Sequence, residues 1–217
     1  DAALDEICQQ YGVKACSAAA FEGEQIVYTH SYGKARGDTP ADENTKYRVA
    51  SISKAVTAML AMHLVDEGKL SLDMDIADIH PDLQNPYYPD STTTLEMLLT
   101  HTSGIVRYPI LPEAVAQGHD AIAAQIIQNP LAFQPGTNSV YSCNGMILLG
   151  FIVEKIYGAS LEALFETKLK APLGYTRSKF NIAVDEPNAA VCYRSENVNG
   201  LSSPWDDENI RVLQTSA

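Results

Sequence analysis

No apolar run in this 217-residue chain approaches a membrane span; the longest, around residues 51–67, is interrupted by His63 and Asp66. Basic residues are scarce. Fifteen Lys and Arg stand against 27 Asp and Glu, a formal net charge of −12. That balance argues against nucleic acid and anionic membrane surfaces as partners. Cysteine is sparse too. Cys8, Cys16, Cys143 and Cys192 form no Cys-x-x-Cys, which excludes a thioredoxin-like motif and the usual zinc spacings, and four are too few for a disulfide scaffold. They read as buried small hydrophobes and leave the redox compartment open. The five histidines (30, 63, 80, 101 and 119) lack ligand spacing. Gly-x-Ser-x-Gly, His-Glu-x-x-His, the P-loop and Gly-x-Gly-x-x-Gly are all missing. These absences leave no cofactor and no metal to expect. No basic, apolar leader opens the chain, so a signal peptide is expected to be absent or already removed.

What is present suffices for a core, since 46% of the residues are hydrophobic. Residues 2–11 read as a short helix, and 15–21 and 25–32 as a hairpin turning at Glu22-Gly23-Glu24. Residues 35–46 read as polar loop. A helix over 51–67 follows, with Ile52, Val56, Met59, Leu60 and Leu64 at helical spacing and alanines between them. Nearly all of its surface is therefore expected to be buried, with Gly68 past its end. Residues 71–92 read as a loop. Thr93-x-x-Glu96 reads as a capping box opening the next helix, which ends before Gly104. Further helices are expected over 120–128, stopped by Asn129-Pro130, over 142–157, closed by Gly158, and over 160–170. Only weak strand signals follow, and a two-stranded hairpin is not stable alone, so something must extend that sheet.

The chemistry starts at Ser51-Ile52-Ser53-Lys54. On a helix these two side chains stand one turn apart on one face. A lysine there can accept the serine proton and make a nucleophile without histidine. The pattern is cheap, and Ser31-Tyr32-Gly33-Lys34 repeats it. That copy sits on the strand, where residues three apart face opposite ways, and Gly33 is expected to break the element. For Ser51 the plain alternative is a helix-capping serine. Tyr141, between the Pro135-Gly136 turn and a helix start, is a candidate second proton-handling group; its plain alternative is packing, in a chain with 11 tyrosines. His101 reads as a residue that caps and orders the loop after a helix.

Several segments then occur in a familiar order: Tyr47-Arg48-Val49-Ala50-Ser51-Ile52-Ser53-Lys54, Leu64-Val65-Asp66-Glu67-Gly68-Lys69-Leu70-Ser71-Leu72-Asp73, Leu98-Leu99-Thr100-His101-Thr102-Ser103-Gly104, Gln134-Pro135-Gly136, Tyr141-Ser142 and Leu148-Leu149-Gly150. Over residues 4 to 180 the chain resembles the class C β-lactamase and penicillin-binding protein family, which includes D-alanyl-D-alanine carboxypeptidases, D-amino peptidases and esterases. The resemblance implies an α+β, β-lactamase/transpeptidase-like fold. Residues 1–36 would belong to a mixed α/β domain, 37–174 would form a mainly helical domain, and 175–217 would begin the return to the first. It implies Ser51 as the acylated nucleophile, with its backbone N–H as one oxyanion donor. Lys54 would be the general base and Tyr141 the proton relay. The substrate would be a small molecule or peptide: a D-amino-acid peptide, a β-lactam or an ester. A cell-envelope or secreted location would fit. The alternative is a non-catalytic peptidoglycan- or peptide-binding sensor of the same fold.

The chain departs from that pattern twice. Where the family reads Tyr-x-Asn, Tyr141-Ser142-Cys143 places Cys143 at the amide position, which removes a group that would hold a substrate carbonyl. Reading Ser142-Cys143-Asn144 as a Ser-x-Asn motif is the other register; Cys143 and Asn144 are the substrate-binding candidates of the two. The family's third motif, Lys-Thr-Gly or His-x-Gly, is also missing, although Asp207-Glu208-Asn209 resembles a stretch that precedes it in some relatives. Its strand supplies the second oxyanion N–H, whose loss costs about 10²–10³ in kcat. The expectation is therefore a truncated chain that acylates poorly alone, its own C-terminal segment being a possible partner as a separate chain.

Overall fold

The computed structural model describes residues 1–180, 182, 186–195 and 202–204. The contacts divide the described residues into two units, residues 1–49 with those from 177 to 204, and residues 50–176. The Asp207-Glu208-Asn209 stretch lies outside the described residues.

In the first unit, helix α1 (Ala2–Gln10) precedes an antiparallel hairpin of β1 (Ala15–Glu22) and β2 (Gln25–Arg36). Asp1, Asp5 and Cys8 recur at helical spacing and form one stripe. Tyr28 Oη donates to Asp1 Oδ1 at 2.8 Å, and His30 Nε2 meets Asp5 Oδ1 at 2.7 Å, so this stripe lies on the hairpin face that carries Tyr28 and His30. Cys8 is buried beneath it. Cys16, Cys143 and Cys192 are only half-buried, so burial of the cysteines holds for Cys8 alone.

Gly33 does not end the strand. It pairs with Ala15, and β2 runs on to Arg36. A side chain at Gly33 would bring its Cβ to 2.1 Å from the Lys14 carbonyl oxygen, at φ +80°; the glycine is there for close backbone approach rather than as a breaker. The expected loop after it contains β3 (Thr39–Pro40), paired with Lys34 and Arg36. Residues 186–191 dock beside it: Lys46 N–H donates to the Asn188 carbonyl at 2.8 Å and Val191 N–H to the Ala35 carbonyl at 2.8 Å. Lys46 and Lys179 converge on Glu186, and the Lys179 bond, then the Lys46 bond, hold that carboxyl below its ordinary range. Strands β4 (Tyr193–Ser195) and β5 (Ser202–Pro204) form a separate antiparallel pair.

The second unit is helical and built around α7 (Cys143–Tyr157), whose Met146, Leu148, Leu149, Phe151, Ile152 and Val153 are buried. Helices α2 (Ser53–Asp66), α4 (Leu95–Leu99) and α6 (His119–Ile127) all pack against it. Gly150 allows the close approach: a Cβ there would sit 3.0 Å from Leu161 and 3.8 Å from Thr57 of α2. Helix α2 is buried on one face only, through Thr57, Leu60, Ala61 and Leu64. Ile52, Met59 and Met62 are exposed. Of the alanines that suggested burial all round, Ala61 lies in the buried stripe, Ala58 is half-buried and Ala55 is exposed.

Short elements escaped the sequence pattern. Helix α3 (Ile76–Ile79) and a turn at Pro81–Leu83 interrupt the expected loop, and α5 (Pro112–Gln117) precedes α6. The final expected helix splits into α8 (Leu161–Leu164) and a π-helical turn over Phe165–Lys170. The capping residue of α4 is Thr94, whose hydroxyl accepts from Met97 N–H at 3.3 Å. Thr93 is instead buried, and its carbonyl accepts from Ile76 N–H at 2.9 Å. Thr94→Ala is expected to lower unfolding free energy by about 1 kcal/mol, read from urea midpoints. An unmoved midpoint would return the cap to Thr93. No helix among the described residues is long and apolar enough to cross a membrane.

Candidate active site

All three residues singled out for proton chemistry fall in the second unit. Ser51 lies on the 3₁₀ turn Ala50–Ile52 that leads into α2, not on the α-helix itself. In that tighter winding, side chains three apart eclipse. Lys54 Nζ accordingly reaches Ser51 Oγ, donating at 3.3 Å. Ser51 does not cap α2; the cap position is Ile52, with no side-chain bond. The residue before Ser51 is held left-handed, with Ala50 at φ +46°. A non-glycine residue there stores about 1–3 kcal/mol, and such strain clusters at functional sites.

Tyr141 arrives on the extended segment that ends at Ser142. The Lys54 ammonium stands 5.4 Å from the Tyr141 ring centroid. The Tyr141 ring also packs against His101, centroids 4.8 Å apart and planes inclined at 52°. Tyr141 is 54% exposed, so the phenol is open to solvent. A hydroxyl, an amine and a phenol therefore adjoin, an arrangement that can pass a proton from a nucleophile to a leaving group.

The segment carrying Tyr141 runs beside the loop that follows α4. Ala132 N–H donates to the Gly104 carbonyl at 2.9 Å, Gly136 N–H to the Thr102 carbonyl at 2.8 Å and Val140 N–H to the His101 carbonyl at 3.0 Å. Ser142 N–H then donates to His101 Nδ1 at 3.3 Å. His101 is itself left-handed, at φ +61°. Burial, and next the Lys54 charge, hold its imidazole below the ordinary value of 6.5.

The other candidates behave differently. Cys143 is the half-buried first residue of α7. Asn144 is 3% exposed, and its amide donates to the Tyr108 carbonyl at 3.2 Å. It fastens the 105–108 loop to α7 from inside. Ser142 is buried as the cap of α7, its hydroxyl accepting from Gly145 N–H at 2.9 Å. Ser51, Lys54 and Tyr141 are thus brought together, Cys143 follows two residues after Tyr141 at the start of α7, and Asn144 faces the interior. The double attachment of His101 to the Tyr141 segment had no sequence signal beyond a turn-like His-Thr-Ser-Gly, because its partner lies 41 residues away.

Known proteins match both the sequence and this arrangement of elements. The chain is 28% identical over 213 residues to esterase EstB of Burkholderia gladioli, covering 89% of this chain and 53% of that protein. The penicillin-binding protein homologue of Pyrococcus abyssi, an octamer, superposes with a TM-score of 0.81 at 27% identity, covering 94% of this chain and 49% of that one. A class C beta-lactamase superposes with a TM-score of 0.79 at 28% identity, covering 99% and 57%. The chain thus spans about half the length of the proteins it matches. The family model described as Beta-lactamase matches residues 1–212. The fold expected from the ordered motifs is therefore the one found, and the chain belongs to the beta-lactamase family.

Proposed function

We propose that this chain carries the nucleophile of a serine hydrolase that cleaves amide or ester bonds through an acyl-Ser51 intermediate. The observation that carries this reading is the 3.3 Å contact of Lys54 Nζ with Ser51 Oγ, with Tyr141 beside the same amine. In the reaction, the resting Lys54 ammonium first gives up a proton to water, and the free amine then takes the hydroxyl proton as Ser51 Oγ bonds to the carbonyl carbon. Tyr141 gives its phenolic proton to the leaving nitrogen or oxygen as that bond breaks, and recovers one from Lys54. Water then attacks the acyl carbon and surrenders a proton to the Tyr141–Lys54 pair. Ser51 leaves with a proton, and a carboxylic acid departs.

The substrate class we assign is an ester or a D-amino-acid peptide ahead of a β-lactam. By its place in the motif order, Cys143 stands where the family's carboxamide would hold a substrate carbonyl, and a thiol is a weak donor. Esters need that hold least, since their leaving group departs most easily. Similarity to an esterase and to a class C beta-lactamase supports the hydrolase class.

Intact-mass measurement tests the proposal. After brief exposure to an activated ester or a penicillin, the protein at its full natural length is expected to gain the acyl mass, which digestion should place on the peptide containing Ser51. Ser51→Ala should gain none. A mass gain that survives Ser51→Ala, or no gain from either reagent, would defeat it.

A further inference from the structure

We infer that His101 is a positioning residue for Tyr141, holding the phenol by gripping the backbone on both sides of it. This deepens the proposed function and rests on it for its catalytic meaning. The geometry is specific. Val140, immediately before Tyr141, donates its N–H to the His101 carbonyl at 3.0 Å. Ser142, immediately after it, donates its N–H to His101 Nδ1 at 3.3 Å. The imidazole packs on the phenol ring itself at 4.8 Å. One residue thus fixes the chain before Tyr141, the chain after it and the ring between.

The arrangement also explains the strained backbone of His101. At φ +61° a non-glycine residue is costly, and Asn, Asp and His are the side chains that visit that region most. In this loop, that backbone goes with a carbonyl and an imidazole that both reach the Tyr141 segment. An acceptor at Nδ1 requires the neutral ring with its proton on Nε2. Lys54 and Tyr141 are the titratable groups seen to face that ring. The Lys54 ammonium opposes a second positive charge there, and so keeps the acceptor available. Protonation of His101 would remove the acceptor and release the backbone after Tyr141.

The test uses two substitutions that both tolerate the left-handed backbone. His101→Gly deletes the imidazole. His101→Asn keeps an acceptor, Oδ1, at the place of Nδ1. On p-nitrophenyl acetate, His101→Gly is expected to lower kcat about 10- to 100-fold with KM held within about twofold, since small displacements of a catalytic group cost that much. His101→Asn should recover all but about threefold. In a Tyr141→Phe background, His101→Gly should cost less than about twofold, because the group it positions is gone. Amide exchange of Ser142 gives a readout independent of turnover. After correction for intrinsic rates, its protection should vanish in His101→Gly and persist in His101→Asn. In the unmodified protein, protection should fall as pH drops below 6.5, a transition absent from His101→Asn.

An unchanged kcat in His101→Gly, an equal loss in the Tyr141→Phe background, or failure of Asn to recover activity would overturn the inference. If the unmodified protein at its full natural length shows no Ser51-dependent turnover, the functional reading falls by itself. The grip on Tyr141 is then decided by Ser142 exchange alone: loss in Gly with retention in Asn upholds it, and equal protection in all three proteins ends it.

Discussion

Lys54→Ala is expected to lower kcat/KM on an activated ester by about 10³-fold, and Ser51→Ala by at least as much, with the double variant no worse than Ser51→Ala alone. The first loss corresponds to about 4 kcal/mol of transition-state stabilisation. The reason is the shared task. The hydroxyl is a poor nucleophile until something takes its proton, and in this site the amine 3.3 Å away is the group placed to do so. Removing either partner removes the step, so the losses do not add. Tyr141→Phe should cost less, about 10²-fold, because it removes a relay and leaves attack intact. The structure gives little reason for these variants to unfold. Ser51 is exposed, Lys54 is only half-buried, and Ser51 caps nothing. Thermal midpoints within about 2 °C of the unmodified protein would confirm that the rate loss is chemical. Additive losses in the double variant would mean that Lys54 acts on something other than the Ser51 proton.

Long-period features were legible in the sequence, and single long-range contacts were not. The apolar runs of α6 and α7 carry their own boundaries: Asn129-Pro130 after the first, and Ser142 and Gly158 around the second. The hairpin was legible from alternation and from Gly23. Errors fell where tertiary contact overrides a local signal. Thr93 and Thr94 are equivalent as capping residues until Ile76 N–H claims the Thr93 carbonyl. Gly33 looks like a breaker until Lys14 is seen lying against it. The apolar pattern of α2 could not say that Met59 and Met62 stay exposed, because alanine fits either environment. At the site, Ser51 and Lys54 were findable because three residues separate them. Tyr141 needed the ordered motifs. The roles of His101 and Asn144 depend on partners 41 and 36 residues away, and no spacing rule reaches that far.

Gly104→Ala should be among the most destabilising single changes in the second unit, at about 3 kcal/mol or more. Two costs combine. Gly104 sits at φ +79°, where an L side chain is strained, and its new Cβ would lie 2.2 Å from the Phe133 carbonyl oxygen. Phe133 cannot simply retreat. Its neighbour Ala132 is tied by its N–H to the Gly104 carbonyl at 2.9 Å, and Leu131 beside it is buried. Gly136→Ala separates the two costs. It shares φ +79°, yet its Cβ would meet only the Met97 terminal methyl at 3.2 Å, the end of a flexible side chain. That variant should lose only about 1–2 kcal/mol, the strain alone. Urea unfolding of the two proteins measures the difference, and equal losses would show that the backbone collision is relieved at no cost. The comparison reaches the chemistry as well. Gly104 and His101 anchor opposite ends of the same run of bonds to residues 132–142. Prying it open at Gly104 should loosen the segment that ends in Tyr141. Folded Gly104→Ala is therefore expected to lose kcat in the pattern of His101→Gly, with KM little changed, whereas a variant that merely unfolds would lose active protein and keep the kcat of what remains.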